Sequence, residues 1–130
     1  MASNDIDRAV QQESGEVGGR LRCARALAIA RRLGVSPGLV GDAANRLGIR
    51  IADCQLGCFG VHKLAPQDVD RVQVPPALAD ELAASLVDGS LHCPTAFEIA
   101  ARLKVQPRKV GHAATRQGIR ISGCQLGCFP

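Results

Sequence analysis

Six cysteines are the residues whose type and spacing bear most directly on chemistry. They fall at Cys23, Cys54 and Cys58 and again at Cys93, Cys124 and Cys128, so each close pair reads C-x3-C. Three thiolates suit an iron–sulfur cluster with one site left for another ligand, or a zinc ion completed by histidine. His62, just after Cys58, and His92, beside Cys93, are the imidazoles placed for that fourth position. Strong zinc signatures favour C-x2-C, however, and a buried cysteine is also an ordinary small core residue. Metal or cluster binding and core packing therefore stand as alternative readings, with a redox disulfide behind both. No carboxylate pair, Ser-His-Asp order or phosphate loop accompanies the thiols, and only His62 or His92 offers a base for a cysteine nucleophile. An enzyme is not expected.

The cysteines belong to a duplication. Residues 21–60 laid on residues 91–130 match at 24 of 40 positions without a gap, and CQLGCF is the longest identical run. Basic charge accompanies the copies: each holds six Arg or Lys, whereas residues 1–20 and 61–90 are net acidic, and the whole chain carries +4. With 46% hydrophobic residues in 130, most of the chain should fold, as one ordinary domain or two small ones. There is no Trp or Tyr and there are three Phe. Recognition of RNA or single strands by base stacking therefore has little to work with. No apolar stretch is long enough to span a membrane, and MASNDIDRAVQQESGE is too polar for a secretory signal. The expectation is a cytoplasmic protein with no membrane partner, in a reducing compartment that favours thiols over disulfides.

Local signals place these residues on short elements. In the second copy, PPALADELAASLVDG predicts a helix stopped by Asp88-Gly89, with Leu78, Leu82 and Leu86 on one face. SLHC comes next as a small strand. Thr95 and Glu98 form a capping box for a second helix ending near Leu103. Pro107 starts a third helix with Val110, Ala113 and Ala114 inward, stopped by Gly118. Ile119-Arg120-Ile121 alternates as a strand, and Cys124 to Phe129 reads as a turn and a final strand. The first copy repeats this from Leu21, although its leading helix, around residues 4–14, is poorly defined.

Ala30, Gly34 and Val40 fall at a spacing that resembles the helix-turn-helix, with Lys104 replacing the turn glycine in the second copy. The order of helix, strand, helix, turn, helix and hairpin resembles the winged helix-turn-helix class. The resemblance implies an α+β, mainly α fold of two tandem winged helix-turn-helix units, each with a small β-hairpin. The units span 1–60 and 76–130, joined by a linker over 61–75. It also implies that each third helix enters the major groove of duplex DNA.

On that reading the outward residues of the second copy are Arg108, Lys109, His112, Thr115 and Arg116, with Arg120 on the next strand reaching the backbone. The first copy offers Asn45, Arg46 and Arg50 but also Gly38, Leu39 and Asp42. Asp42 repels phosphate, so the first unit binds DNA weakly or has turned to a protein partner. A linker of about fifteen residues spans roughly 50 Å when extended. Groove faces repeat about every 34 Å. One chain can thus act as a pseudo-dimer. Pairing of the first strand with the hairpin gathers Cys23, Cys54 and Cys58 at one sheet edge, and likewise Cys93, Cys124 and Cys128. The implied function is a transcriptional regulator, with the cysteines as candidate ligands of a zinc or iron–sulfur sensor site. The alternative is a protein-interaction or metal-binding module that keeps the fold without the DNA function.

Overall fold

A computed structural model describes residues 2–15 and 19–130. The fold is α+β and mainly helical, with strands of three residues. The chain divides into two compact units, each completed by a piece of the other copy. The first is Met1–Cys54 with Gln125–Cys128, and the second is Gln55–Cys124 with Phe129–Pro130. The division thus falls after Cys54, where the sequence reading sets it at residue 60.

In the first unit, α1 (Ala2–Gly15) is succeeded by β1 (Arg20–Arg22), α2 (Cys23–Leu33), α3 (Pro37–Arg46) and β2 (Arg50–Ala52). Ile6, Ala9 and Val10 recur at helical spacing on α1 and are buried. That stripe packs against α2 and α3. On α2 the buried face is Ala26, Leu27, Ile29 and Ala30, and on α3 it is Val40, Gly41, Ala43 and Ala44. Gly34 ends α2 in the left-handed region (φ +66°), and the next amide, of Val35, donates back to the Ala30 carbonyl. This is the glycine stop that lets the chain reverse into α3.

The second unit contains 3-10 turns at Gly60–His62 and Pro66–Arg71, then α4 (Pro76–Ala84), β3 (Ser90–His92), α5 (Cys93–Leu103), α6 (Pro107–Arg116) and β4 (Arg120–Ser122). Residues 61–75 are therefore a folded part of this unit, and the Pro66–Arg71 turn packs against α6. Leu78 and Leu82 are buried, but α4 ends before Leu86, which is exposed. Asp88 and Gly89 both take positive φ (+51° and +79°), and the carbonyl of Val87 accepts from the amide of Ser90. That is the two-residue hairpin turn favoured by Asp-Gly. The helix has already ended at Ala84, capped by Ser85, and the turn leads straight into β3.

Two local expectations are corrected. α5 begins at Cys93, directly after β3, with Pro94 in its first turn and no side-chain cap. Thr95 consequently lies inside the helix and forms no capping box with Glu98. The hairpin is also not formed. β1 pairs with β2 in parallel, Leu21 opposite Ile51, and β3 pairs with β4 in parallel, Leu91 opposite Ile121. A parallel pair needs a crossover, which the two intervening helices supply in each unit. After β2, Asp53 adopts φ +52°, and after β4, Gly123 adopts φ +63°. The left-handed kink sends the chain away from its own sheet, so no strand returns to it among the described residues.

Past each kink the chain forms a docking loop. Leu126, 5% exposed, packs in the first unit, and Leu56, 2% exposed, packs in the second. A Cβ on Gly41 would overlap the carbonyl oxygen of Leu126, and a Cβ on Gly111 would overlap that of Leu56. Backbone of a QLGC loop thus lies directly on the third helix of each unit, at a buried glycine, Gly41 on α3 and Gly111 on α6.

Candidate nucleic-acid interface

The two third helices share an interior and differ outside. On α6, Val110, Gly111, Ala113 and Ala114 face the core, which leaves Arg108, Lys109, Thr115 and Arg116 exposed. Arg108 and Lys109 have no acidic partner among the described residues. Together with Lys104 they border an open cleft of about 510 Å³ beside the start of α6. Arg116 lies 3.9 Å from the carboxylate of Asp70, which is 94% exposed. Thr115 donates its hydroxyl to the Gly111 carbonyl at 3.1 Å, so its oxygen is partly occupied. Arg120 starts β4 and is exposed.

His112 is a different case from the other outward positions. Its ring is half-buried, with Nε2 2.8 Å from the carbonyl oxygen of His62. In the tautomer that protonates Nε2, the ring donates this bond. The imidazole also borders Gly57 in the docking loop. It braces the loop and the Gly60–His62 turn against α6, a task the helical spacing of outward residues does not reveal.

In the first unit, α3 exposes Leu39 (49%), Asp42 and Asn45. Arg46 is exposed but committed: both terminal nitrogens donate to the Asp7 carboxylate at 3.0 Å. This bidentate bond holds the Asp7 carboxyl below the usual carboxylate range and raises Arg46 further. It ties α3 to α1 across 39 positions of sequence. Sequence reasoning missed it because the leading helix carries only a weak signal. Arg50 is exposed on β2, directly opposite Arg20 on β1.

The cysteines are regrouped by the exchanged loops. Cys23 and Cys54 share the first unit with Cys128, while Cys93 and Cys124 share the second with Cys58. The sets drawn from the sequence depended on a hairpin that does not form. Cys23, Cys54 and Cys93 are buried, Cys58 and Cys124 half-buried, and Cys128 exposed. Among the described residues, no three His, Cys, Asp or Glu side chains come together as a metal site. Cys23 and Cys93 are buried at the first position of α2 and α5, directly after each strand. The chain matches no protein-family model, no curated protein and no solved structure.

Proposed function

We propose that the protein binds duplex DNA through the exposed face of α6 and acts as a transcriptional regulator on a helix-turn-helix scaffold. The observation that carries this reading is the pair Arg108 and Lys109, exposed at the start of α6 with no acidic partner among the described residues. Arg108 suits bidentate contact with guanine, while Lys109, Arg116 and Arg120 suit phosphates. Scarcity of aromatic residues favours duplex over single strands. The first unit supports a second role. Its α3 shows an apolar Leu39, an acidic Asp42 and an arginine already bonded to Asp7. Those features suit a protein partner better than phosphate. The buried Cys23, Cys54 and Cys93 are assigned to packing, and a zinc or iron–sulfur sensor is the outcome that metal analysis and a visible spectrum of anaerobically purified protein would add.

Salt titration of duplex binding is the deciding experiment. Affinity for a random-sequence duplex should fall steeply with salt as counterions are released, and Lys109→Ala should lower the slope by about one contact. Binding that is insensitive to salt, or none at low salt, would favour the interaction module without DNA function.

A further inference from the structure

A cleft of about 400 Å³ in the second unit lies apart from the Arg108–Lys109 end of α6. Its apolar walls come from Leu64, Ile119, Ile121 and Phe129, and two cations, Lys63 and Arg120, line it as well. No carboxylate lines the cleft, and neither cation has an ion-pair partner among the described residues. Thr115 reaches it too, but its hydroxyl is already bonded to Gly111.

We infer that this cleft binds a small amphipathic monoanion, a carboxylate carried on a short aliphatic or aromatic body. The size falls within the range of small-molecule sites, which combine apolar walls with a few polar anchors. The guanidinium of Arg120 offers a carboxylate two parallel hydrogen bonds, and Lys63 adds a second positive charge. A metal ion is excluded by those same charges. A bare phosphate would use the cations and leave four apolar side chains wet. A neutral hydrocarbon would do the reverse. Only a ligand with both parts uses the whole lining. The site stands independently of DNA binding, although Arg120 belongs to both surfaces, so an occupant would withdraw it from a phosphate.

The test is calorimetric titration of the full chain with sodium octanoate, in the absence of DNA. Octanoate should bind saturably with a dissociation constant below about 1 mM, and acetate and octanamide should each bind at least about tenfold more weakly. The double variant Lys63→Met with Arg120→Met should lose about tenfold or more while keeping the wild-type melting temperature. Equal affinity for octanoate and octanamide, or for octanoate in both proteins, would overturn the site. Because the double variant can misfold, amide shifts of the unaltered protein are monitored as well. Octanoate should move Gly57 and Ile119 to Ile121, and shifts confined to other regions would equally overturn it.

Discussion

α3 and α6 are the same helix on the inside and two different helices on the outside. Val40, Gly41, Ala43 and Ala44 repeat as Val110, Gly111, Ala113 and Ala114, all buried. Outside, Gly38, Leu39, Asp42 and Asn45 have become, or come from, Arg108, Lys109, His112 and Thr115. Even the shared arginine is used differently. Arg46 makes a bidentate bond to Asp7, whereas Arg116 stands 3.9 Å from a nearly fully exposed Asp70. Close packing constrains what touches the docking loop, and solvent leaves the other face free to diverge. Function is therefore to be sought where the copies differ, and stability where they agree.

The largest expected effect comes from the agreement. Gly41→Ala and Gly111→Ala each push a methyl group into a backbone carbonyl that has no flexible end to move. Each should cost more than about 4 kcal/mol, or prevent the unit from folding, as measured by urea denaturation. Gly34→Ala is the control. Its Cβ would meet nothing within 4 Å, so the cost is only that of the left-handed conformation, about 1 kcal/mol. A Gly111→Ala protein as stable as Gly34→Ala would show that Leu56 does not lie on α6. Leu56→Ala and Leu126→Ala come next, at about 2–5 kcal/mol each.

That docking was the part of the fold least legible in the sequence, and the reason is physical. The loops are identical, CQLGCF in both copies, as are the small residues that receive them. An identical key fits either lock, so no local signal says which copy's helix a loop will cover. The short helices were legible because their apolar spacing, Pro107 and Gly34 act within a few residues. The hairpin was read from alternation and turn residues around Cys124, which cannot distinguish a returning strand from a departing loop. Of the candidate site, the exposure of Arg108, Lys109 and Arg116 came from helical periodicity alone. The engagement of His112 and Arg46 did not, because their partners, His62 and Asp7, are distant in sequence.

Differences between the copies should appear in DNA affinity. Arg108→Ala should weaken a specific duplex by about 1–3 kcal/mol and relax specificity at one base pair. Arg116→Ala should cost less, since Asp70 already competes for it. Leu39→Ala and Asp42→Ala should leave affinity unchanged. Competitive binding of one labelled duplex to the whole set checks the order, and equal losses from α3 and α6 would remove the division of labour between the units.

The helix stops sharpen the comparison on a smaller scale. Gly34 and Lys104 occupy the same position and nearly the same conformation, φ +66° and +58°. Lysine there bears a Cβ penalty that glycine does not. Lys104→Gly should therefore stabilise the protein by up to about 1 kcal/mol in urea titration. Destabilisation would mean that the Lys104 side chain makes a contact worth more than the strain.

The smallest effect belongs to the ion pair that commits Arg46. Asp7 has its carboxyl pKa lowered in the folded protein, first by the hydrogen bond from Arg46 and further by that residue's charge. A group with a depressed folded pKa stabilises the native state at pH above its unfolded value, near 3.8, and loses that contribution as pH falls through the folded value. Wild type should thus melt slightly higher than Asp7→Asn at neutral pH, and the gap should close progressively in acid below that value. Salt should narrow it at neutral pH, because both partners are solvent-accessible. Arg46→Gln should reproduce the same pH-dependent gap, whereas Arg116→Gln, losing a longer and more solvated contact, should shift the melting temperature less. Melting curves across the acid range decide it. A gap independent of pH would mean that Asp7 supports α1 by packing and leaves Arg46 available as a reader, making the two third helices more alike than their surroundings indicate.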